Sequence, residues 1–275
     1  MNTFSIREAF AEGWRGVSSH WSVFLVFVMA AFSVSNFFSF LFAKVGVVGL
    51  GAFLTIFLQL ALLLSNTVIE FAGSALSLLA AKGETIGLPY FRNRTHLFLK
   101  FFGSFILYGL VFLPAMTLSY VVVMGTVLFR FLPYEEANAF VNGVPFGAVI
   151  YNTLLTSPVY YLSMVAVLTV VLLFFSMRLQ FFRFFILDEE KGVSSLVRSF
   201  FLTKGENIRL FVFSLLVYFL ISFSNFLPVF MAMFSIALPK VVLVFLIAVN
   251  FITVPISFVA RANAYLQLKR KGLTQ

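Results

Sequence analysis

Residues 21–42 read WSVFLVFVMAAFSVSNFFSFLF, a run of 22 residues without a charged side chain. A helix rises about 1.5 Å per residue and the hydrocarbon core of a bilayer is about 30 Å thick, so about 20 apolar residues cross it. Five further apolar stretches follow along the chain, at 47–79, 101–129, 159–177, 210–231 and 239–260. We therefore predict an all-α, polytopic integral membrane protein, with six transmembrane helices in a single transmembrane domain that covers residues 1–275.

The composition also points to a bilayer as the solvent. Hydrophobic residues make up 61% of the 275 residues and charged residues only 11%, whereas a soluble domain has about 25% charged residues. The sequence contains no cysteine, which excludes disulfides, thiolate metal sites and cysteine nucleophiles.

Basic residues are concentrated in every second gap between the apolar stretches. Sixteen of the nineteen Lys and Arg residues lie there, and the other gaps hold only Lys44, Arg130 and Lys240. Short loops rich in Lys and Arg stay on the cytoplasmic side, so we predict a multi-pass protein of a bacterial cytoplasmic (inner) membrane with both termini in the cytoplasm. The net charge of +9 predicts membrane lipids with anionic head groups as partners at this face, and not nucleic acid.

A Lys-Gly pair follows the second, fourth and sixth apolar stretches, at residues 82–83, 191–192 and 271–272. Glycine just past a helix end can take the left-handed cap conformation, and lysine in the last turn complements the helix dipole. The pattern favours three helical hairpins built alike, although a fourth pair at residues 204–205 falls outside it.

Two segments in the basic gaps have amphipathic helical spacing. In the segment around residues 193–204 the predicted apolar face holds Val193, Leu196, Val197, Phe200 and Phe201. Its predicted polar face holds Ser194, Ser195, Arg198 and Lys204. Residues 6–17 repeat the pattern with Trp14 on the apolar face, and residues 86–96 show it more weakly. We predict amphipathic helices that lie in the cytoplasmic interface of the membrane.

One charged residue, Glu70, falls inside a predicted span, where charge is costly, and Arg178 and Arg261 directly follow the ends of two others. Glu70, Arg178 and Arg261 lie ten to thirteen residues before the three Lys-Gly pairs, so they sit at similar depth and form a candidate polar layer. Glu70 could pair with Arg178 or Arg261 as a structural ion pair, or the layer could line a cavity that opens to the cytoplasm. Candidate helix-kink positions are Pro114, Pro228 and Pro255.

The acidic run Asp188, Glu189 and Glu190 is the one group that suggests a metal or acid–base cluster. Arg183 and Arg198 flank it, so solvated charge pairing is the favoured interpretation. The sequence has no P-loop, no dinucleotide-binding glycine motif, no H-E-x-x-H and no G-x-S-x-G. We predict no catalytic residues, no metal and no cofactor.

The stretch from Phe184 to Gly192, followed by Ser199 in an amphipathic segment, resembles a signature of a membrane-protein family, as does the N-terminal pattern from Ala9-Phe10 to His20-Trp21. The chain is similar to the six-helix membrane domain of the glycerophosphoryl diester phosphodiesterase membrane-domain type and to related uncharacterised bacterial inner-membrane protein families. The resemblance implies a fold and a membrane location. It does not imply phosphodiesterase activity, because the catalytic domain of those enzymes is separate and has no counterpart in this sequence.

Two functions remain open at this point. The first is a non-enzymatic multi-pass inner-membrane protein that organises lipid or a protein partner, which could be a second copy of the chain, at the cytoplasmic face. The alternative is a small transporter, permease subunit or lipid-moving protein that uses the polar layer of Glu70, Arg178 and Arg261.

Overall fold

The computed structural model describes residues 4–48, 52–111, 113, 117, 170, 174, 176–233 and 239–272. These residues form helices and turns without any β-strand, so the predicted all-α class is confirmed. In chain order the helices are α1 (Ile6–Ser19), α2 (Trp21–Val48), α3 (Ala52–Lys82), α4 (Leu88–Arg94), α5 (Leu97–Val111), α6 (Phe182–Glu189), α7 (Ser194–Leu202), α8 (Asn207–Met233) and α9 (Lys240–Gly272).

Within the described residues, three helices are long and apolar enough to cross a membrane. The apolar segments are Trp21–Phe42 in α2, Ile56–Lys82 in α3 and Phe245–Gly272 in α9. Shorter apolar segments occupy Leu97–Val111 and Asn207–Ile221. The prediction of an all-α protein with membrane-spanning helices is confirmed to the extent of these three candidate spans. Most of the predicted spans 101–129 and 159–177, including Pro114, lies outside the described residues.

The first boundary between two predicted spans was placed wrongly. The prediction starts a new span at residue 47, but α2 continues to Val48 with Lys44 inside the helix, and α3 starts at Ala52. A single lysine is a weak stop signal, because lysine has a high helix propensity and its long side chain can reach the membrane edge. The glycines at 49 and 51 are the stronger sequence signal for a boundary between two helices.

The last helix is longer than predicted. The apolar pattern ends near residue 260, yet α9 runs to Gly272 as one helix of 33 residues that continues through Pro255. Such a helix is about 50 Å long, whereas the hydrocarbon core is about 30 Å thick. The C-terminal third of α9, which carries its basic residues, therefore extends beyond any hydrocarbon layer that its apolar part crosses.

The chain forms two compact units, Met1–Phe105 with Arg178–Gln275, and Ile106–Met177. In the second unit the described residues are the end of α5 and isolated helical positions. Helix α6 is deeply buried in the first unit, since its residues 182–187 are all buried. Phe182 packs on Phe101 of α5, with ring centroids 6.1 Å apart, and Phe185 meets Tyr265 of α9 edge-on at 5.1 Å. The buried helix α6 thus contacts both α5 and α9.

Helix α1 is the predicted N-terminal amphipathic helix, and it packs along α9 in the opposite direction. The backbone N–H of Ser5 donates to Oε1 of Gln267 at 3.0 Å, while Gly13 lies against the backbone of Ala260. A Cβ at Gly13 would lie only 3.2 Å from the backbone nitrogen of Ala260. The buried face of α1 is therefore built from small residues. Trp14, which was predicted on the apolar face, is 54% exposed.

Candidate functional site

The carboxylate of Asp188 is the hub of a charged cluster at the end of α6. Its Oδ1 accepts a hydrogen bond from Nζ of Lys82 at 2.7 Å. Its Oδ2 accepts hydrogen bonds from Nζ of Lys269 at 2.6 Å and from the Tyr265 hydroxyl at 3.0 Å. The hub joins the C-terminal ends of α3, α6 and α9. The predicted solvated pairing is wrong for this residue, because the Asp188 side chain is only 12% exposed.

The cations around Asp188 control its ionisation. Burial by itself would raise the pKa of the Asp188 carboxyl, but the hydrogen bonds from Lys269 and Lys82 outweigh burial and lower the pKa to about 2. Asp188 is therefore a fixed negative charge at neutral pH. Lys82 belongs to the first Lys-Gly pair and lies in the last turn of α3. Its bond to Asp188 gives it a second structural role, which is to connect α3 to α6.

Glu189 extends the cluster from α6 to α7. Its carboxylate lies 2.6 Å from the Arg198 guanidinium, 3.0 Å from Nζ of Lys269 and 3.5 Å from Nζ of Lys191. Burial raises the pKa of Glu189, and the hydrogen bond and charge of Lys269, followed by Arg198, reverse this effect and lower the pKa. The pairing predicted between Arg198 and the acidic run is present at this residue.

Two further cations bind backbone oxygens at the end of α6. A guanidinium nitrogen of Arg94 donates to the carbonyl of Leu187, and Nζ of Lys100 donates to the carbonyl of Glu190 at 2.9 Å. The last carbonyls of a helix lack partners within that helix and carry a partial negative charge. Arg94 and Lys100 supply the missing donors, and they offset two acidic side chains at an unfavourable end of the helix dipole.

The helix caps follow the predicted Lys-Gly repeat only in part. Gly83 has φ +70°, and the N–H groups of Gly83 and Glu84 bind the carbonyls of Ala80 and Leu79, which is the Schellman pattern. After α6 the left-handed residue is Glu190, with φ 56°, rather than the predicted Gly192. The pair outside the repeat, at residues 204–205, does have a left-handed glycine, with φ +90°.

Glu70 forms an ion pair with Arg183, a residue of α6 that was not a predicted partner. The Arg183 side chain is 9% exposed and that of Glu70 is 30% exposed. Three buried hydroxyl residues lie on the same face of α3 as Glu70, at Thr67, Ser74 and Ser77. The hydroxyls of Thr67 and Ser77 donate to carbonyls of α3 itself.

The other two members of the predicted polar layer have different surroundings. The Arg178 guanidinium lies 3.4 Å from Oγ1 of Thr203 and 5.1 Å from the Phe200 ring centroid, so it contacts α7 and the turn after it. The Arg261 guanidinium lies 5.9 Å from the ring centroid of Phe258. Of the predicted kink positions, Pro228 lies within α8 and Pro255 is buried within α9.

Helix α7 turns most of its predicted apolar face away from the protein. Of its predicted apolar face only Leu196 is buried, and Val193, Val197, Phe200 and Phe201 are exposed. Ser195 and Ser199 face the protein instead. The Ser199 hydroxyl accepts a hydrogen bond from the N–H of Phe181 at 3.2 Å and donates to the carbonyl of Arg178 at 2.8 Å. Ser199 therefore connects the two sides of the turn at residues 180–181, where the backbone leaves helical geometry just before α6.

The described residues contain no group of three or more His, Asp or Glu side chains placed to hold a metal ion. A shallow open cleft of about 570 Å³ lies beside α4 and is lined by Pro89, Phe91, Arg92, Asn93 and Thr95.

No protein-family model, curated protein or solved structure matches this chain. Three features of the described residues bear on function: the charged cluster around Asp188, the Glu70–Arg183 pair and the orientation of α7.

Proposed function

We propose that this chain is a non-enzymatic multi-pass protein of a bacterial inner membrane that organises lipid or a protein partner at the cytoplasmic face. The proposal includes six spans in three hairpins, with both termini in the cytoplasm. The three long apolar helices and the alternation of basic gaps support it. The resemblance to the membrane domains associated with glycerophosphodiester phosphodiesterases fits the same arrangement.

The observation that carries the proposal is the Asp188 hub, together with the charges around it. The hub ties the basic ends of α3 and α9 to the buried helix α6. Basic side chains at this end of the unit remain exposed: Arg92, Arg198, Lys204, Arg209 and Arg270. A firmly packed surface with exposed cations at the end of membrane helices suits anionic head groups, each cation contributing about 1 kcal/mol near such a surface.

The topology can be tested directly because the chain has no cysteine. Single-cysteine variants Lys204→Cys and Gly272→Cys should react with a membrane-impermeant maleimide only after the inner membrane of spheroplasts is made permeable. Glu135→Cys lies between the predicted spans 101–129 and 159–177, in a gap poor in Lys and Arg that is proposed to be external, and it should react in intact spheroplasts. Labelling of Lys204→Cys in intact spheroplasts, with Glu135→Cys protected, would overturn the proposed orientation.

Lipid organisation is tested by native mass spectrometry of the detergent-solubilised protein after exposure to equal amounts of phosphatidylglycerol and phosphatidylcholine. The protein should retain phosphatidylglycerol preferentially. The double variant Arg92→Gln/Arg270→Gln should lose much of this preference, whereas Lys44→Gln, near the end of α2 that is proposed to be external, should keep it. Equal retention of both lipids by the unmodified protein would remove the lipid part of the proposal.

A second candidate function, a small transporter or lipid-moving protein, is favoured by the Glu70–Arg183 pair. A charged pair and three hydroxyl residues on one face of an apolar helix are costly unless they serve packing or a polar path. The variant Glu70→Gln separates the two roles. In proteoliposomes loaded with the pH dye pyranine, a proton-coupled transporter would show flux that Glu70→Gln abolishes while folding is retained. An absence of flux with the unmodified protein, together with loss of folding in Glu70→Gln, would assign the pair to packing.

A further inference from the structure

The apolar residues of α7 form one exposed stripe. Val193, Val197, Phe200 and Phe201 are between 48% and 63% exposed. With a turn of about 100° per residue, the four positions fall within roughly 100° of the helix circumference. Ser194 and Arg198, which are also exposed, lie on the adjacent flank. The exposed surface of α7 is thus divided lengthwise into an apolar half and a polar half.

The orientation of α7 is fixed by its buried polar side. Ser199 holds the backbone on both sides of Gln180 through two hydrogen bonds, and Ser195 is fully buried beside it on the same face. Rotating the helix to bury the apolar stripe would break both bonds of Ser199 and expose the serine face. The apolar stripe is therefore held outward by specific contacts, although four exposed apolar side chains are unfavourable in water.

The position of α7 places the stripe beside an apolar helix surface. Helix α7 ends at Leu202, and α8, a helix of 27 residues, begins at Asn207. The turn between them contains the left-handed Gly205 and the buried Glu206. The apolar surface of α8 starts at once, because Ile208 is 81% exposed. The short connection keeps α7 at the level where α8 begins.

Cations lie on the polar flank of α7 and at both of its ends. Lys191 precedes the helix, Arg198 lies on the polar flank, and Lys204 and Arg209 follow the helix. Their acidic neighbours are held inside the unit, since the side chains of Glu189 and Glu206 are 20% and 7% exposed. Positive charge therefore faces outward around an apolar stripe, the pattern of a helix that lies in an anionic membrane surface.

We infer that α7 is an interfacial helix that inserts Val193, Val197, Phe200 and Phe201 among the acyl chains of the cytoplasmic leaflet. Its flanking cations bind the head groups of anionic glycerophospholipids. This inference deepens the proposed function, on whose membrane topology it rests, by naming the ligand class and the element that binds it. A lipid ligand explains why cations lie at both ends of the stripe and why α7 is held at the depth where the apolar surface of α8 begins. Binding of a protein partner would require neither feature.

Spin labels on single cysteines test the insertion of α7 in proteoliposomes of phosphatidylcholine and phosphatidylglycerol. Val197→Cys lies on the apolar stripe and Ser194→Cys on the polar flank, less than one turn away. The label at 197 should be more accessible to oxygen than to a water-soluble nickel chelate, and the label at 194 should show the reverse. Equal access of the nickel chelate to both labels would overturn the inference. So would exclusion of both reagents from position 197, which would show a protein in contact with the stripe.

The head-group preference has its own measurement, the association of spin-labelled lipids with the reconstituted protein. Phosphatidylglycerol should associate about fivefold more strongly than phosphatidylcholine, as expected for the net effect of one cation at an anionic surface. The double variant Lys204→Gln/Arg209→Gln should weaken the preference clearly, and Lys240→Gln, at the start of α9, should leave it unchanged. An unchanged preference in the double variant would overturn the assignment of these cations.

Failure of this inference is distinct from failure of the proposed function. A water-exposed label at position 197, in a protein whose cysteine topology is as proposed, removes only the insertion of α7. An inverted topology in spheroplasts removes the proposed function, whatever the spin labels report.

Discussion

Nζ of Lys82 lies 2.7 Å from Oδ1 of Asp188, across a sequence separation of 106 residues. The contact joins the C-terminal ends of two helices at the Lys/Arg-rich end of the first unit, because Lys82 is the last residue of α3 and Asp188 lies in the last turn of α6. Tyr265 and Lys269 bind the other carboxylate oxygen from α9. One acidic side chain thereby orders the ends of three helices.

Replacement of Asp188 by Asn should destabilise the protein more than any other single loss of an acidic group at this end. The variant removes a carboxylate that is only 12% exposed and that binds Lys82, Lys269 and Tyr265, of which, among the described residues, Lys269 alone keeps a second acidic partner, Glu189. The expected cost is about 3 kcal/mol. Thermal unfolding in detergent, followed by circular dichroism, measures the effect. Glu84→Gln, an exposed acidic residue two positions after Lys82, should change stability by less than about 0.5 kcal/mol. Equal effects of the two variants would contradict the role of Asp188 as a hub.

The contribution of Asp188 should disappear in acid. Its pKa is about 2 in the folded protein, below the ordinary value of 3.8, so the folded state favours the ionised form. The resulting stability is fully present above about pH 4 and is lost as the pH falls through about 2. The stability difference between the unmodified protein and Asp188→Asn should therefore be constant from pH 7 to about pH 4.5 and shrink below that. A difference that stays constant down to about pH 2 would show that the charge is not responsible.

The Glu70–Arg183 pair should behave as a coupled unit. Removing one partner leaves a charge with little access to water, so Arg183→Leu and Glu70→Leu should each cost about 3–5 kcal/mol. The double variant Glu70→Leu/Arg183→Leu should recover much of that loss, because no isolated charge remains. Arg198→Gln, which breaks a more exposed pair with Glu189, should cost less than about 1 kcal/mol. Additive losses in the double variant would mean that the two side chains do not stabilise each other.

Local sequence patterns predicted the helices well, because apolar runs and helical spacing are local properties. Residues 21–42 and the N-terminal amphipathic segment correspond to α2 and α1. The error at residue 47 arose because one lysine was treated as a loop. The last helix was predicted to end too early because its end was placed where the apolar residues stop. The helix in fact continues through its polar C-terminal turns.

Long-range contacts were predicted poorly, because sequence spacing gives depth along a helix but not the partner across the unit. Glu70 and Arg183 are 113 residues apart, and nothing local distinguishes Arg183 from Arg178. One available signal was missed. Tyr265 and Lys269 are four residues apart, so on a helix they share a face and can bind one acceptor. Ser195 was assigned to the polar face of α7 because polarity was equated with exposure, yet it is fully buried, and Ser199 on the same face binds the backbone at the turn before α6.

The helix caps at Gly83 and Glu190 predict substitutions of opposite sign. Both residues have left-handed backbones, a conformation that costs a non-glycine residue about 1 kcal/mol. Glu190→Gly should raise the free energy of unfolding by up to about 1 kcal/mol, and Gly83→Ala should lower it by about the same amount. Glu190→Gln serves as the control, because it keeps the strained backbone and removes only an exposed contact 3.8 Å from His96. Stabilisation by Glu190→Gln equal to that by Glu190→Gly would show that charge, and not backbone conformation, is responsible.

Close packing of α1 on α9 predicts that an alanine will be tolerated very differently at two helical glycines. Both substitutions gain helix propensity, about 1 kcal/mol. At Gly103 in α5 no neighbouring atom lies within 4 Å of the added Cβ, so Gly103→Ala should be stabilising. At Gly13 the Cβ would meet the backbone of Ile256 and Ala260 at 3.2 Å, and backbone atoms cannot move without shifting a helix, so Gly13→Ala should destabilise by about 1–3 kcal/mol. Thermal unfolding of the two variants in detergent compares them directly. Stabilisation by Gly13→Ala equal to that by Gly103→Ala would mean that α1 is free to move away from α9, and the N-terminal helix would then not be a fixed part of the unit.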